Sequence, residues 1–137
     1  MSQDELVRIL GRSAAESDLG LQLVSASDEA VELALPLQPR FLQGQGIVHG
    51  GVLATLADSA AVMALFPRAG DAASGLSSIE FKLNFLRPAL PDAGDVHARA
   101  LVLRLGRKVG VCEVELRQAG HLIGKGLFTY LYLDREP

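Results

Sequence analysis

The sequence predicts an α+β fold in which one long apolar helix is wrapped by a curved, mostly antiparallel sheet. Three observations point there. The run IVHGGVLATLADSAAVMALF, Ile47 to Phe66, is apolar on nearly every side, as a helix buried all round would be. Beyond Pro67 the hydrophobic period changes from 3.6 to 2. Four strand-like segments then follow with no helix between them, which favours antiparallel pairing over the alternation of a parallel sheet. At 137 residues the chain reads as one domain, 1–137, able to bury roughly two-thirds of its unfolded surface.

The elements can be justified in order. An N-terminal helical segment occupies 1–18, with Ser2 as cap and Leu6, Val7 and Leu10 on one side of an amphipathic turn over 2–12. Leu19 to Leu37 reads as two strands joined near Ser27-Asp28, because Val31, Leu33 and Leu35 alternate with Glu32 and Ala34. Residues 38–48, marked by Gly and Pro, form a loop into the central helix, 49–66, which Pro67 and Gly70 stop. In the strand from Leu76 to Leu86, Ile79, Phe81, Leu83 and Phe85 face one way; Ser78, Glu80, Lys82 and Asn84 face the other. Val96 to Leu105, Lys108 to Gln118 and Leu122 to Leu133 complete the set, with a tight turn at Ala119-Gly120. The many alanines of the central helix allow a sheet to wrap closely. What one sheet leaves uncovered a second copy would cover, so a homo-oligomer is expected.

Composition removes several classes of function. A net charge of -3 with no basic face argues against nucleic-acid binding. The single cysteine, Cys112, excludes an internal disulfide and a multi-cysteine metal site, and three scattered histidines add no metal signature. The N-terminus carries acids where a leader peptide needs bases, and no run of 18 residues lacks polar groups. These features suggest a soluble, cytoplasmic protein with no membrane partner. No Gly-X-Ser-X-Gly elbow is present, which disfavours a serine hydrolase.

The chemistry concentrates in the central helix. The first amides of a helix lack intrahelical acceptors and sit at the positive end of its dipole. Gly50 and Gly51 have no side chains, so a substrate carbonyl could approach those amides as in an oxyanion hole; alternatively the glycines only let the loop turn. Asp58 is the lone carboxylate of the run. It either bonds Thr55, Ser59 or water as a packing residue, or it does chemistry. Eight residues past Gly50, it lies about 12 Å further along the helix. One carbonyl cannot meet both groups of the same chain, so a shared site would draw Asp58 from a second subunit.

The stretch QGQGIVHGGVLATLAD, Gln43 to Asp58, together with SIEFKLNFLRPA and LGRKVGVCEVEL further on, resembles the hotdog-fold acyl-CoA thioesterases. The likeness is to their phenylacetyl-CoA (PaaI-like) and 4-hydroxybenzoyl-CoA groups, and it extends over about Leu19 to Leu133. The resemblance implies a long helix inside a curved antiparallel sheet. It also implies hydrolysis of an aryl- or medium-chain acyl-CoA, with coenzyme A as part of the substrate and no separate cofactor. By position, Gly50 N–H and the Gln43 amide would polarise the thioester carbonyl. Asp58 of the partner would serve as general base or nucleophile, and Ser78, or Ser77 if the register differs, would help hold water. His49 would shape the helix start or line the CoA channel beside Gly51. Arg87, Arg107 and Lys108 would meet the CoA phosphates. Val62 occupies the place where the 4-hydroxybenzoyl group has a hydroxyl, so the chain leans to the PaaI-like pattern, although it has Gln43 where most of those members have Asn. The strand from Leu76 to Leu86 would be the dimer seam, within a dimer or a dimer of dimers. The alternatives are a non-catalytic acyl-CoA binding module and a hotdog dehydratase or hydratase.

Overall fold

A computed structural model describes residues 1–68 and 73–134. Six strands form one antiparallel sheet: β1 (Gln22–Ala26), β2 (Ala30–Leu35), β3 (Ala73–Phe85), β4 (Val96–Leu105), β5 (Val109–Gln118) and β6 (His121–Asp134). Their order across the sheet is β1-β2-β4-β5-β6-β3. The N-terminal helices are α1 (Gln3–Leu10) and α2 (Ala14–Leu19), and the central helix is α3 (Gly50–Leu65). The N-terminal segment is therefore two helices rather than one. Ser2 caps α1 through a capping box with Glu5; Gly11 ends it, and α2 closes on Gly20 in the left-handed conformation.

Helix α3 lies in the concave side of the sheet, against β2, β4 and β5. Leu53, Leu56, Ala57, Ala60, Ala61, Ala64 and Leu65 are buried there with Val31, Leu33, Leu35, Ala98, Ala100, Cys112, Val114 and Leu116. Small residues on α3 and β4 bring backbone close to backbone, which is how one sheet can bend around a helix. By length and composition, Gly50–Arg68 would also suit a bilayer. Here half of that segment is already committed to the protein core.

Burial is not complete all round. Gly51, Thr55, Asp58 and Val62 form a stripe at helical spacing that this chain leaves partly or fully open. Beside it, among the described residues, the sheet ends in β3, which pairs with β6 alone. No strand among the described residues pairs with its second edge, and Ile79, Phe81 and Phe85 are 56, 46 and 50% exposed. A long apolar strand with an open edge is a surface built for pairing.

Strict alternation along β3 is broken by a bulge. Ser78 pairs with Tyr130, but Glu80, not Ile79, pairs with Thr129, and Phe81 pairs with Phe128. The extra residue shifts the phase of the strand. Ser78 consequently shares the helix-facing side with Phe81, which stacks on Phe128 at 5.0 Å between ring centres. The sequence pattern had placed Ser78 opposite Phe81. Ser77, paired with Leu131, faces the other side.

Close approach of β3 to β6 depends on Gly126. A Cβ there would run into the Lys82 carbonyl and come within 2.9 Å of Leu83 Cα. Gly126→Ala should lower stability by about 1–3 kcal/mol, as overpacking does, read as a lower urea midpoint at unchanged slope. An unchanged midpoint would show that the strands part at no cost.

Candidate active site

At the start of α3 every amide but one is accounted for. His49 N–H bonds Phe41 O at 2.8 Å; Val52 and Leu53 N–H bond His49 O at 3.0 and 3.3 Å. Gly51 N–H donates to His49 Nδ1 at 2.8 Å, so His49 is the N-cap. Among the described residues, the Gly50 N–H has no acceptor. The two glycines have separate steric reasons. A Cβ on Gly51 would stand 3.0 Å from His49 Nδ1 and obstruct the cap. A Cβ on Gly50 would press on the Phe85 ring at 3.2 Å. An imidazole whose Nδ1 accepts an amide proton is neutral and carries its own proton on Nε2.

The free amide opens on a groove of about 350 Å³ lined by Gln43, Ile47, Val48, Gly50, Phe85, Leu86, Arg87 and Pro88. Gln43 is held by the loop's own turn: its N–H bonds Ile47 O at 2.8 Å, and its Oε1 accepts from Gln45 N–H. A backbone N–H can only donate, so it fixes which end of the Gln43 amide is oxygen. The Nε2 end has one long contact, 3.4 Å to Gln45 Oε1, and keeps donor capacity. Arg87, exposed at the rim, meets His121 Nδ1 at 3.4 Å. An amide N–H, a side-chain amide and a guanidinium thus share one groove.

Asp58 is elsewhere on the helix, on the open stripe. Its Oδ1 accepts a hydrogen bond from Tyr130 of β6, whose hydroxyl also lies 3.0 Å from Asp58 O. Tyr130 is 1% exposed. Its strand neighbour is Ser78, turned to this side by the bulge. From α2, Glu16 Oε1 accepts from Ser59 at 2.9 Å, while Glu16 Oε2 is buried with no partner among the described residues. Burial holds the Asp58 carboxyl above its usual range; Tyr130's hydrogen bond opposes that, and the charge of Glu16 adds to it. A carboxyl raised in this way accepts a proton more readily than an ordinary surface carboxylate.

The other expected residues are dispersed. Arg107 and Lys108 are exposed at the β4–β5 turn, at the opposite end of the sheet from Arg87 and His121. His97, one of the three scattered histidines, bonds Glu32 at 2.7 Å on the face of the sheet away from α3. Cys112 is buried in the core and its thiol is pushed up to about 12, chiefly by burial. Among the described residues, no group of three His, Cys, Asp or Glu could hold a metal. Tyr130 and Glu16 complete the surroundings of Asp58 and were not singled out from the sequence; Ser59 and Thr55, offered there as partners of Asp58, bond Glu16 and Gly51 O instead. Only the alternation of Phe128, Tyr130 and Tyr132 hinted that Tyr130 points inward.

Comparison with known proteins identifies the family and the fold. Residues 45–124 match the family model of the thioesterase superfamily. A candidate esterase of Halobacterium salinarum is 37% identical over 106 residues, 73% of this chain and 67% of that one. Acyl-coenzyme A thioesterase 13 of Mus musculus is 28% identical over 109 residues, covering 78% of this chain and 76% of that protein. The structure of the E. coli PaaI protein, from the phenylacetic acid degradation operon, shares the fold with a TM-score of 0.81 at 21% identity. That likeness covers 93% of this chain and 89% of PaaI.

A raised carboxyl has a consequence for stability. Below the ordinary value, 3.8, Asp58 is protonated whether folded or not, and its charge costs nothing. As pH rises through the folded value the ionised form becomes a burden on the native state. Asp58→Asn should therefore melt higher than wild type at pH 7–8, with the advantage vanishing near pH 3. An advantage confined to acid would reverse the sign of this assignment.

Proposed function

The chain belongs to the thioesterase superfamily, hotdog-fold thioester hydrolases, and we propose that it hydrolyses acyl-CoA thioesters at a site shared between two copies. The observation that carries this reading is the separation of the unsatisfied Gly50 N–H from Asp58 along one helix, about 12 Å. Each lies open, one on a groove and one on an uncovered stripe. Two copies joined edge to edge through β3, with their central helices antiparallel, would bring the Asp58 of one to the groove of the other. The free edge and exposed side chains of β3 support that pairing. A dimer, or a dimer of such dimers, would then be the working form.

In this reading the thioester carbonyl enters the groove and accepts from Gly50 N–H and Gln43 Nε2. Asp58 of the second copy takes a proton from water as the water oxygen bonds to the carbonyl carbon. Negative charge moves onto the carbonyl oxygen, where both donors stabilise it. The carbon–sulfur bond breaks as the carbonyl re-forms, and Asp58 returns the proton to the departing CoA sulfur. Ser78, paired with Tyr130 across the strands, would help hold the water. Arg87 at the groove of one copy, and Arg107 and Lys108 at the far end of the other copy's sheet, would flank the CoA phosphates from both subunits. Coenzyme A is consumed as part of the substrate, so no cofactor is required. A dehydratase reading is weaker: His49 Nδ1 is already an acceptor, and the His97–Glu32 pair lies on the wrong face.

Thiol release from a panel of aryl- and alkyl-CoA esters tests the proposal. Wild type should turn over at least one class, and Asp58→Ala should lose about 10²–10⁴-fold, the usual share of general acid–base catalysis. Tight acyl-CoA binding without turnover would replace this reading with a binding module. Turnover that survives Asp58→Ala would remove Asp58 from the chemistry.

A further inference from the structure

Asp58 is a short side chain on an open stripe, free in principle to adopt several rotamers, yet it is gripped from the sheet. We propose that Tyr130 is the positioning residue of the reaction, anchoring Asp58 Oδ1 so that Oδ2 is left for water; this rests on Asp58 acting as the base proposed above. The geometry supports it in three ways. Tyr130 comes from β6, a different element from Asp58, and is fixed by full burial and by its pairing with Ser78. Its hydroxyl has a single proton, and both oxygens it meets, Asp58 Oδ1 and Asp58 O, belong to the same residue. It therefore ties the carboxylate to the helix backbone as one rigid unit. Third, the β3 bulge sets Ser78 opposite Tyr130 on the same side of the sheet, so an alcohol stands on the strand beside the phenol that holds the carboxylate.

The surroundings give the hydroxyl a second task. Glu16 of α2 is the charged neighbour of this carboxylate, while Cys112 of β5 acts on Tyr130 and Tyr132. Glu16 disfavours a charge on Asp58, and burial disfavours it more. Cys112 and Tyr132 are neutral, their protons held more tightly by burial. Tyr130 is therefore the one group among the described residues that favours the ionised carboxylate. Burial and the neighbouring charge also hold its own proton far above the ordinary phenol range, so it remains a donor at any working pH. A hydroxyl that only filled the core would need none of this. Tyr130 lies on the last strand, beyond residues 45–124, the part of the chain matched to the family model.

The test is Tyr130→Phe, which keeps the ring and removes only the hydroxyl. The Asp58 carboxyl is followed by ¹³C titration, independently of activity, and kcat and KM are measured across pH beside Asp58→Asn. The expected result is a carboxyl that titrates at higher pH in Tyr130→Phe and an acid limb of kcat that moves with it. The kcat plateau should fall about 10- to 100-fold, the effect of losing a hydrogen bond to a charged group, while KM stays within about twofold. A melting temperature lowered with the titration and pH profile unmoved would make Tyr130 structural and overturn the proposal. So would a change in KM alone. A shifted titration with full activity in Asp58→Asn would preserve the tyrosine–carboxylate pair and defeat the hydrolase mechanism instead.

Discussion

An α-helix advances about 1.5 Å per residue and does not bend back, so two groups eight residues apart on it cannot close on one atom. Gly50 and Asp58 are held apart by that rule, and much of the architecture follows from it. A sheet that wrapped α3 completely would bury Asp58 beyond use. This sheet stops at β3, leaves the stripe Gly51–Thr55–Asp58–Val62 open, and exposes an unpaired strand edge beside it. On the proposed pairing, this uncovered surface is where a carboxylate from one copy would reach an amide of another. Protein concentration would then become part of catalysis, because a lone chain would hold the two halves of the site apart.

The helix start uses each residue of its His-Gly-Gly for a different purpose. His49 spends its imidazole and its carbonyl on Gly51, Val52 and Leu53 N–H, which stabilises the first turn. Gly51 makes room for that imidazole, and Gly50 makes room for Phe85. One donor is left over, at the positive end of the dipole, next to a groove. Further along, an apolar helix must tolerate a carboxylate. Burial alone would favour its protonated form, so the Tyr130 hydroxyl offsets part of that cost. Function and stability pull in opposite directions at this residue.

Much of the fold was legible in the sequence because it rests on period. The apolar run of α3, the change of period after Pro67, and the alternation Cys112, Val114, Leu116 each dictate a buried surface whatever the neighbours are. Ala119-Gly120 likewise forms the tight turn its chemistry suggests, with φ of 49° and 77°. What escaped depends on pairing and docking. Residues 78–85 alternate without a fault, and only their register against β6 reveals the bulge that turns Ser78 inward. The break of the N-terminal segment at Gly11–Ser13, and the docking of Glu16 on Ser59, follow from where α2 meets α3. Tyr130 read as one inward aromatic among several; the reach of its hydroxyl is set by the path of a helix 72 residues away in sequence. The pattern Gln43, Gly50, Asp58 was visible at once because short motifs need no tertiary context, but the sequence could not show that Gly50 alone of the first amides is left unpaired.

The central claim is that each site takes Gln43 and Gly50 from one copy and Asp58 from another. The most direct measurement mixes two inactive chains, Gln43→Ala and Asp58→Ala, unfolds and refolds them together, and assays thioester hydrolysis. Random pairing into two-fold dimers would give roughly a quarter of all sites with both halves intact. Activity should return to about that fraction of wild type, and it should not return when either variant is refolded alone. Mixed dimers that form, as seen by mass spectrometry of differently tagged chains, and yet stay inactive would contradict a site shared across the interface.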